Sequence, residues 1–213
     1  MLVGYLLTLL IAYFVGSVPT GYCVARVKGI DLRAHGSGNI GATNAFRVLG
    51  TVPGVLVLLI DAFKGAAAVL WIPPLIATRW DPGTPSYLPL VAGVGAILGH
   101  NYTCWLRFKG GKGIATTAGV MGALLPWALV IALTTWFIVL ITSRYMSVAS
   151  ITAAVILPIG TFLTTDQLDL RILALILGTL AIWRHRGNIQ RLRNGTEPRF
   201  EFRRRRSEPT TPT

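Results

Sequence analysis

Acidic side chains are scarce: Asp and Glu total 8 in 213 residues, against 20 Lys and Arg. A metal site built from several carboxylates is therefore not expected, and three histidines with so few acids form no facial triad. The reading is that the chain uses no metal and no cofactor. Cysteine is nearly absent too. Cys23 and Cys104 each lie in an apolar stretch, without the pairing of a disulfide scaffold or a zinc site, and read as packing residues. Charged residues make up only 13% of the chain, hydrophobic residues 53%, and the mean hydropathy is +0.60. Ordinary soluble domains carry about 25% charged residues. These shortages exclude a disordered chain and a soluble domain, and point to one membrane-embedded domain. The formal net charge of +12 does not imply nucleic acid, because the basic residues sit between apolar spans and form no stripe on a soluble fold.

The apolar runs set a topology. Residues 1–25 carry no charge, and a helix of that length, at ~1.5 Å per residue, crosses a ~30 Å hydrocarbon core with some tilt. The segment has neither the basic leader nor the A-x-A site of a signal peptide, so it is expected to remain as a transmembrane helix. Arg26, Lys28 and Arg33 follow it, which places the N-terminus outside. Further spans are expected at 52–77 and 87–105, joined by a short turn over 79–86. Residues 113–143 are again uncharged, about 46 Å as one helix, well over what a bilayer needs. One crossing would put Arg144 and the cluster Arg184, Arg186, Arg191 and Arg193 outside. Two crossings, with a turn near Leu125-Pro126-Trp127, restore the positive-inside bias. Spans at 147–164 and 168–183 complete the set.

The expected fold is thus an all-α integral membrane protein with seven transmembrane helices, N-terminus outside and C-terminus cytoplasmic. In this layout 17 of the 20 Lys and Arg residues face the cytoplasm, Lys64 lies within a span, and only Arg79 and Arg171 lie outside. Residues 1–198 form the membrane domain, and 199–213 a basic, disordered cytoplasmic tail near anionic lipid. Three polar segments, 31–47, 99–117 and 184–197, fall on the same face.

The first of these contains Gly36-Ser-Gly-Asn-Ile-Gly-Ala-Thr-Asn44 and then Arg47. Its glycines expose backbone N–H groups, and Arg47 adds a planar fork of donors, a composition suited to phosphate; a small-residue helix contact or flexible loop has the same composition. In the second, Lys109-Gly-Gly-Lys-Gly113 departs from the nucleotide phosphate loop. Leu106 stands where the first glycine belongs, and Gly113 where Ser or Thr would hold magnesium. Lys112 ahead of a helix N-terminus reads as an anion site or as an interfacial anchor. His100 reads as structural, closing a helix end. His185, beside Arg184, Asn188 and Arg191, reads as functional, a general base or a positioning group. Asp61 and Lys64 interrupt an apolar span three residues apart and are expected to pair, lining the site without touching substrate.

Together the three segments resemble the bacterial acyl-phosphate:glycerol-3-phosphate acyltransferase family. The first motif is matched by Ser37-Gly-Asn-Ile-Gly-Ala-Thr-Asn44 with Arg47. The second is matched by Gly99-His-Asn101 and Gly110-Gly-Lys-Gly-Ile-Ala-Thr116, and the third by His185, Asn188, Arg191 and Gly195-Thr-Glu197. The likeness runs over about residues 4–198, departing at Gly187, where relatives often carry an acid. It implies acyl transfer from acyl phosphate to the sn-1 hydroxyl of glycerol 3-phosphate, giving 1-acyl-sn-glycerol 3-phosphate and phosphate at the cytoplasmic face of a bacterial inner membrane. It implies catalytic roles for Ser37, Arg47, Lys112, His185 and Asn188. Substrate binding is implied for Asn39, Gly41, Thr43, Asn44, Gly110, Gly111, Gly113 and Thr116, with the acyl chain in a groove open to membrane lipid. The alternative class is a transporter or flippase of a phosphorylated metabolite or lipid. Such a protein should show paired repeats and broken helices at the midplane, whereas here the polar motifs cluster on one face.

Overall fold

Proline and glycine cut the apolar sequence into helices at identifiable places. In the computed structural model, residues 2–80 and 87–201 are described, without the side chains of Arg79 and Trp80. The expected turn at 79–86 and the arginine run of the tail lie largely outside the described residues. Among the described residues the fold is helical throughout: α1 (Leu2–Ser17), α2 (Thr20–Val27), α3 (Ala42–Leu49), α4 (Thr51–Trp80), α5 (Leu88–Asn101), α6 (Ile114–Leu124), α7 (Pro126–Ser143), α8 (Met146–Thr164), α9 (Leu168–Arg184) and α10 (Arg186–Arg193).

The first apolar run is not the single unbroken helix expected over residues 1–25. It breaks at Val18 and Pro19, because Pro19 has no N–H to continue the ladder and its ring crowds the preceding turn. At the break the Val18 carbonyl accepts from the Thr20 N–H at 3.0 Å and, as a second donor, from Lys64 Nζ on α4 at 2.8 Å. The third run also differs: α5 stops at Asn101, and a 3-10 turn at Cys104–Leu106 follows. The uncharged run 113–143 is two helices, divided at Leu125 and Pro126. Proline at the first position of α7 loses nothing there, since that N–H has no helical acceptor. Cys23 is exposed on α2 and Cys104 is half-buried, so the expectation of two packed cysteines is corrected for Cys23.

Among the described residues, four stretches, Leu2–Val27, Thr51–Thr78, Pro126–Ser143 and Met146–Thr164, are long and apolar enough to cross a bilayer. The first of them comprises α1 and α2 with the break between. Large apolar side chains such as Leu75, Trp127 and Leu163 remain exposed, the arrangement expected of helices that face lipid.

Inside, Ile97, Val120, Met121, Leu157, Leu173 and Leu177 join α5, α6, α8 and α9. Ala12, Ala68, Ala92 and Ala96 join α1, α4 and α5 through small residues, which let backbones approach. Closest is the α4–α6 contact, where a Cβ on Gly119 would run into the Ala62 carbonyl and one on Gly65 into that of Thr116. A third cluster, Ala25, Leu32, Ala45 and Val57, seats α2 and α3 against α4 and so fixes the first polar segment.

Candidate active site

The first segment is folded around one side chain. Asn44, 1% exposed, accepts the Ser37 N–H at 2.9 Å through Oδ1. Its Nδ2 faces the carbonyls of Leu32 at 3.2 Å, His35 at 3.0 Å and Asn39 at 2.9 Å. Asn39 Oδ1 in turn accepts the Gly41 N–H at 2.8 Å. Left-handed Gly36 and Gly38, at φ 61° and 70°, let the chain turn tightly enough to close this bracket. Helix α3 then starts at Ala42, and Thr43 and Arg47, four residues apart, share one of its faces. Arg47 makes no side-chain hydrogen bond or ion pair to any described residue. Burial, and secondarily the Arg191 cation, lower its guanidinium from the ordinary value against the opposing pull of Glu197, yet it stays charged at any working pH.

The second segment doubles back on the end of α5. Arg107 and Phe108 take left-handed conformations, and Gly110 N donates to Asn101 O at 3.2 Å and Gly111 N to His100 O at 3.0 Å. Gly111 lies flat against the His100 ring, where a Cβ would collide with Nε2. Gly113, left-handed at φ 83°, caps α6. Lys112 donates to Asn188 Oδ1. Burial pushes the Lys112 ammonium down to about 8. Arg191, Arg184 and Arg47 add to the effect, and Glu197 opposes it.

The third segment turns at His185, which ends α9 and begins α10. His185 Nδ1 lies 2.7 Å from the Ala181 carbonyl. A carbonyl only accepts, so Nδ1 carries the hydrogen and Nε2 is left as an acceptor. Burial, with the neighbouring Lys112 cation, lowers the imidazole to about 4, so the ring is neutral at pH 7. Asn188 Nδ2 donates to Glu197 Oε1 at 2.6 Å, and Arg191 Nε to Glu197 Oε2 at 2.7 Å. Burial by itself would raise the Glu197 carboxyl, but these bonds and the Arg191 charge hold it below its ordinary value.

The three segments meet in a cavity of about 110 Å³. Ser37, Asn39, Gly41, Thr43, Asn44, Arg47, Lys112, Gly113, His185 and Asn188 all line it. Gly110, Gly111 and Thr116 do not. The first two carry the backbone that presents Lys112, and Thr116 is buried at the α4–α6 contact.

Asp61, His100, Trp136, Ser147, Ser150, Arg191 and Glu197 also line it, beside apolar residues such as Leu58 and Met146. Of these, Ser147, Ser150 and Trp136 carry no sequence signal, because they reach the cavity only through the packing of α7 and α8. Asp61 accepts from Thr20 at 2.9 Å, pairs with Lys64 at 2.8 Å and lies 3.5 Å from His100 Nδ1. The expected pair is thus part of a four-residue buried network that joins α2, α4 and α5. With converging cations and backbone donors, and with Asp61 and Glu197 already engaged by donors of the protein, the cavity can hold two anionic groups side by side and stabilise charge that develops between them.

Comparison with known proteins identifies the family. Residues 6–195 match the family model described as glycerol-3-phosphate acyltransferase. The glycerol-3-phosphate acyltransferase of Desulforudis audaxviator is 47% identical over 194 residues, covering 91% of this chain and 94% of that protein. That of Fusobacterium nucleatum is 43% identical over 196 residues, covering 91% and 97%. The crystal structure of PlsY (YgiH), an integral membrane glycerol 3-phosphate acyltransferase in its glycerol 3-phosphate form, superposes with a TM-score of 0.83 at 38% identity. It covers 92% of this chain and 96% of its own. The lysophosphatidic acid form of PlsY gives a TM-score of 0.81 at 36% identity. The chain belongs to the glycerol-3-phosphate acyltransferase family.

Proposed function

We propose that the chain transfers a fatty acyl group from acyl phosphate to the sn-1 hydroxyl of glycerol 3-phosphate. The products are 1-acyl-sn-glycerol 3-phosphate and inorganic phosphate. The observation that carries this reading is the Arg47 guanidinium, with no side-chain partner among the described residues, lining the same small cavity as the half-buried Lys112 ammonium. Two cations that line one cavity with no carboxylate paired to either among the described residues call for anionic ligands.

The hydroxyl oxygen attacks the acyl carbonyl carbon and forms the ester bond. The carbonyl–phosphate C–O bond breaks, and its electron pair leaves on phosphate. Because the donor is already an activated anhydride, no covalent enzyme intermediate is needed; positioning and charge stabilisation suffice. Arg47, Lys112, Ser37 and Thr43, with the backbone around Gly41 and Gly113, hold the phosphates. Asn39 and Asn44 keep the first loop in shape. Leu58, Trp136 and Met146 form the apolar wall along which the acyl chain enters from lipid. The hydroxyl proton passes to a phosphate oxygen of the substrates, while His185 and Asn188 position the glycerol. A neutral imidazole at about 4 is a weak base, and no carboxylate orients it; its Nδ1 faces a backbone carbonyl.

The site faces the cytoplasm of a bacterial inner membrane, with seven spans formed by α1 with α2, α4, α5, α6, α7, α8 and α9 and the N-terminus outside. The charge distribution supports this: 17 of 20 Lys and Arg residues then lie on one side. In a variant lacking Cys23 and Cys104, an impermeant thiol reagent should label a cysteine at Gln167 in intact cells, and one at Lys109 only after permeabilisation.

Purified protein in detergent, given acyl phosphate and labelled glycerol 3-phosphate, should form labelled lysophosphatidic acid. Product from acyl-CoA or acyl carrier protein but none from acyl phosphate would overturn the donor. Arg47→Ala and Lys112→Ala should each abolish turnover in folded protein. A His185→Ala enzyme with normal glycerol 3-phosphate affinity and a turnover loss beyond ~10⁴-fold would make His185 the base.

A further inference from the structure

The segment that carries Lys112 does not hold its shape through local preference. Arg107 and Phe108, at φ 54° and 59°, are both in the left-handed region that side chains with a Cβ avoid. Two backbone bonds tie the segment to α5, and from the other side it is gripped by Arg184, the last residue of α9. Arg184 Nη2 donates to three carbonyls: Asn101 at 3.2 Å, Gly110 at 3.2 Å and Gly111 at 2.5 Å. Its guanidinium carbon also lies 5.1 Å from the centre of the Tyr102 ring.

The Asn101 carbonyl is at the C-terminus of α5, where a cation is favourable, and the Gly110 and Gly111 carbonyls immediately precede Lys112. Arg184 Nε is buried without a hydrogen-bond partner among the described residues, so the side chain is committed to this grip at the expense of one of its own donors. Charge alone does not explain the placement. A guanidinium near the Lys112 ammonium is repulsive, and the carbonyl bonds with the Tyr102 ring contact offset that repulsion. Arg184 does not line the cavity.

We infer that Arg184 is a positioning residue that locks the glycine-rich segment between α5 and α9 and thereby aims Lys112 into the cavity. It couples the second motif to the third, since Lys112 reaches Asn188 on α10, four residues beyond Arg184 and past the turn at His185. The inference rests on the anion-holding role proposed for Lys112.

The test compares Arg184→Met and Arg184→Lys, purified in detergent, with kcat and KM measured per folded molecule and melting temperature measured alongside. Arg184→Met is expected to lose about 100-fold in kcat/KM, the scale of a misplaced group remote from the chemistry, while its melting temperature changes by only a few degrees. Arg184→Lys, whose ammonium offers three donors to the three carbonyls, should recover to within about 10-fold of the parent. A kcat/KM for Arg184→Met within about threefold of the parent overturns the inference, as does a lysine variant no better than the methionine one. Should Arg184→Met fail to fold, Arg184→Gln, which keeps a donor for one carbonyl, takes its place under the same thresholds. Lys112→Ala separates the two readings: activity retained there overturns the proposed site, whereas activity lost there but kept in Arg184→Met overturns the positioning role alone.

Discussion

Lys64→Met is the most informative single change outside the cavity. Lys64 Nζ makes two buried bonds, to Asp61 Oδ1 at 2.8 Å and to the Val18 carbonyl at 2.8 Å, and the side chain is 6% exposed. Methionine matches the stem but supplies no donor, so a carboxylate 2% exposed loses its cation. Breaking a buried pair from one side costs about 3–5 kcal/mol. The carbonyl released by the break at Pro19 loses its side-chain donor as well, although the Thr20 N–H still reaches it at 3.0 Å and keeps that loss small. Thr20 at 2.9 Å and His100 at 3.5 Å remain near Asp61 and offset part of the deficit. At about 2–4 °C per kcal/mol for a chain of this size, the melting temperature should fall by about 6–20 °C. Thermal unfolding in detergent, followed by tryptophan fluorescence, reads this directly. Because Lys64 does not line the cavity, turnover per folded molecule should stay close to the parent value. A shift under about 2 °C would refute the reasoning, since it would mean that Asp61 does not depend on Lys64 for its charge.

Three further outcomes follow from the same geometry. Lys112 titrates at about 8, below its ordinary 10.5, so its ammonium is lost as pH rises through that value. The kcat/KM profile should therefore show an alkaline limb near pH 8, and a profile still flat at pH 9.5 would contradict it. Asn44→Ala strips the first loop of its bracket, leaving the Ser37 N–H and three carbonyls without that partner. Stability should drop by about 1–3 kcal/mol and kcat/KM by at least about 10-fold, measured by denaturation and steady-state kinetics. Gly119→Leu forces a side chain into the Ala62 carbonyl at the α4–α6 contact, and the purified variant should melt well below the parent or fail to fold.

Elements defined by local chemistry were readable in advance. Proline after an apolar run predicts the division at Leu125 and Pro126, and the spacing of Asp61 and Lys64 predicts their pairing. The motif residues Ser37, Arg47, Lys112, His185 and Asn188 stand out because polar and glycine-rich segments are conspicuous in an apolar chain. The break at Pro19 was not readable in the same way. Proline is tolerated inside membrane helices when a neighbour satisfies the freed carbonyl, and continues undisturbed at Pro73 and Pro74 in α4. Whether a break forms depends on what lies opposite, here Lys64 from another helix. Arg184 likewise reads as one more cytoplasmic arginine until the folded chain brings three carbonyls to it.

Composition and pattern alone determined that this is a helical membrane protein, which residues are polar enough to do chemistry, and where most helices end. Those properties follow from solvation and backbone geometry over a few neighbouring residues. Only the tertiary structure decided which polar residues share a cavity and which hold it open. It set Asn44 and Arg184 to bracing loops, joined Asp61 to Thr20, Lys64 and His100, and brought Ser147 and Ser150 into the wall. The reason is physical: a buried donor or acceptor must find its partner wherever the fold provides one, and in this chain those partners lie 41, 46 and 83 residues away.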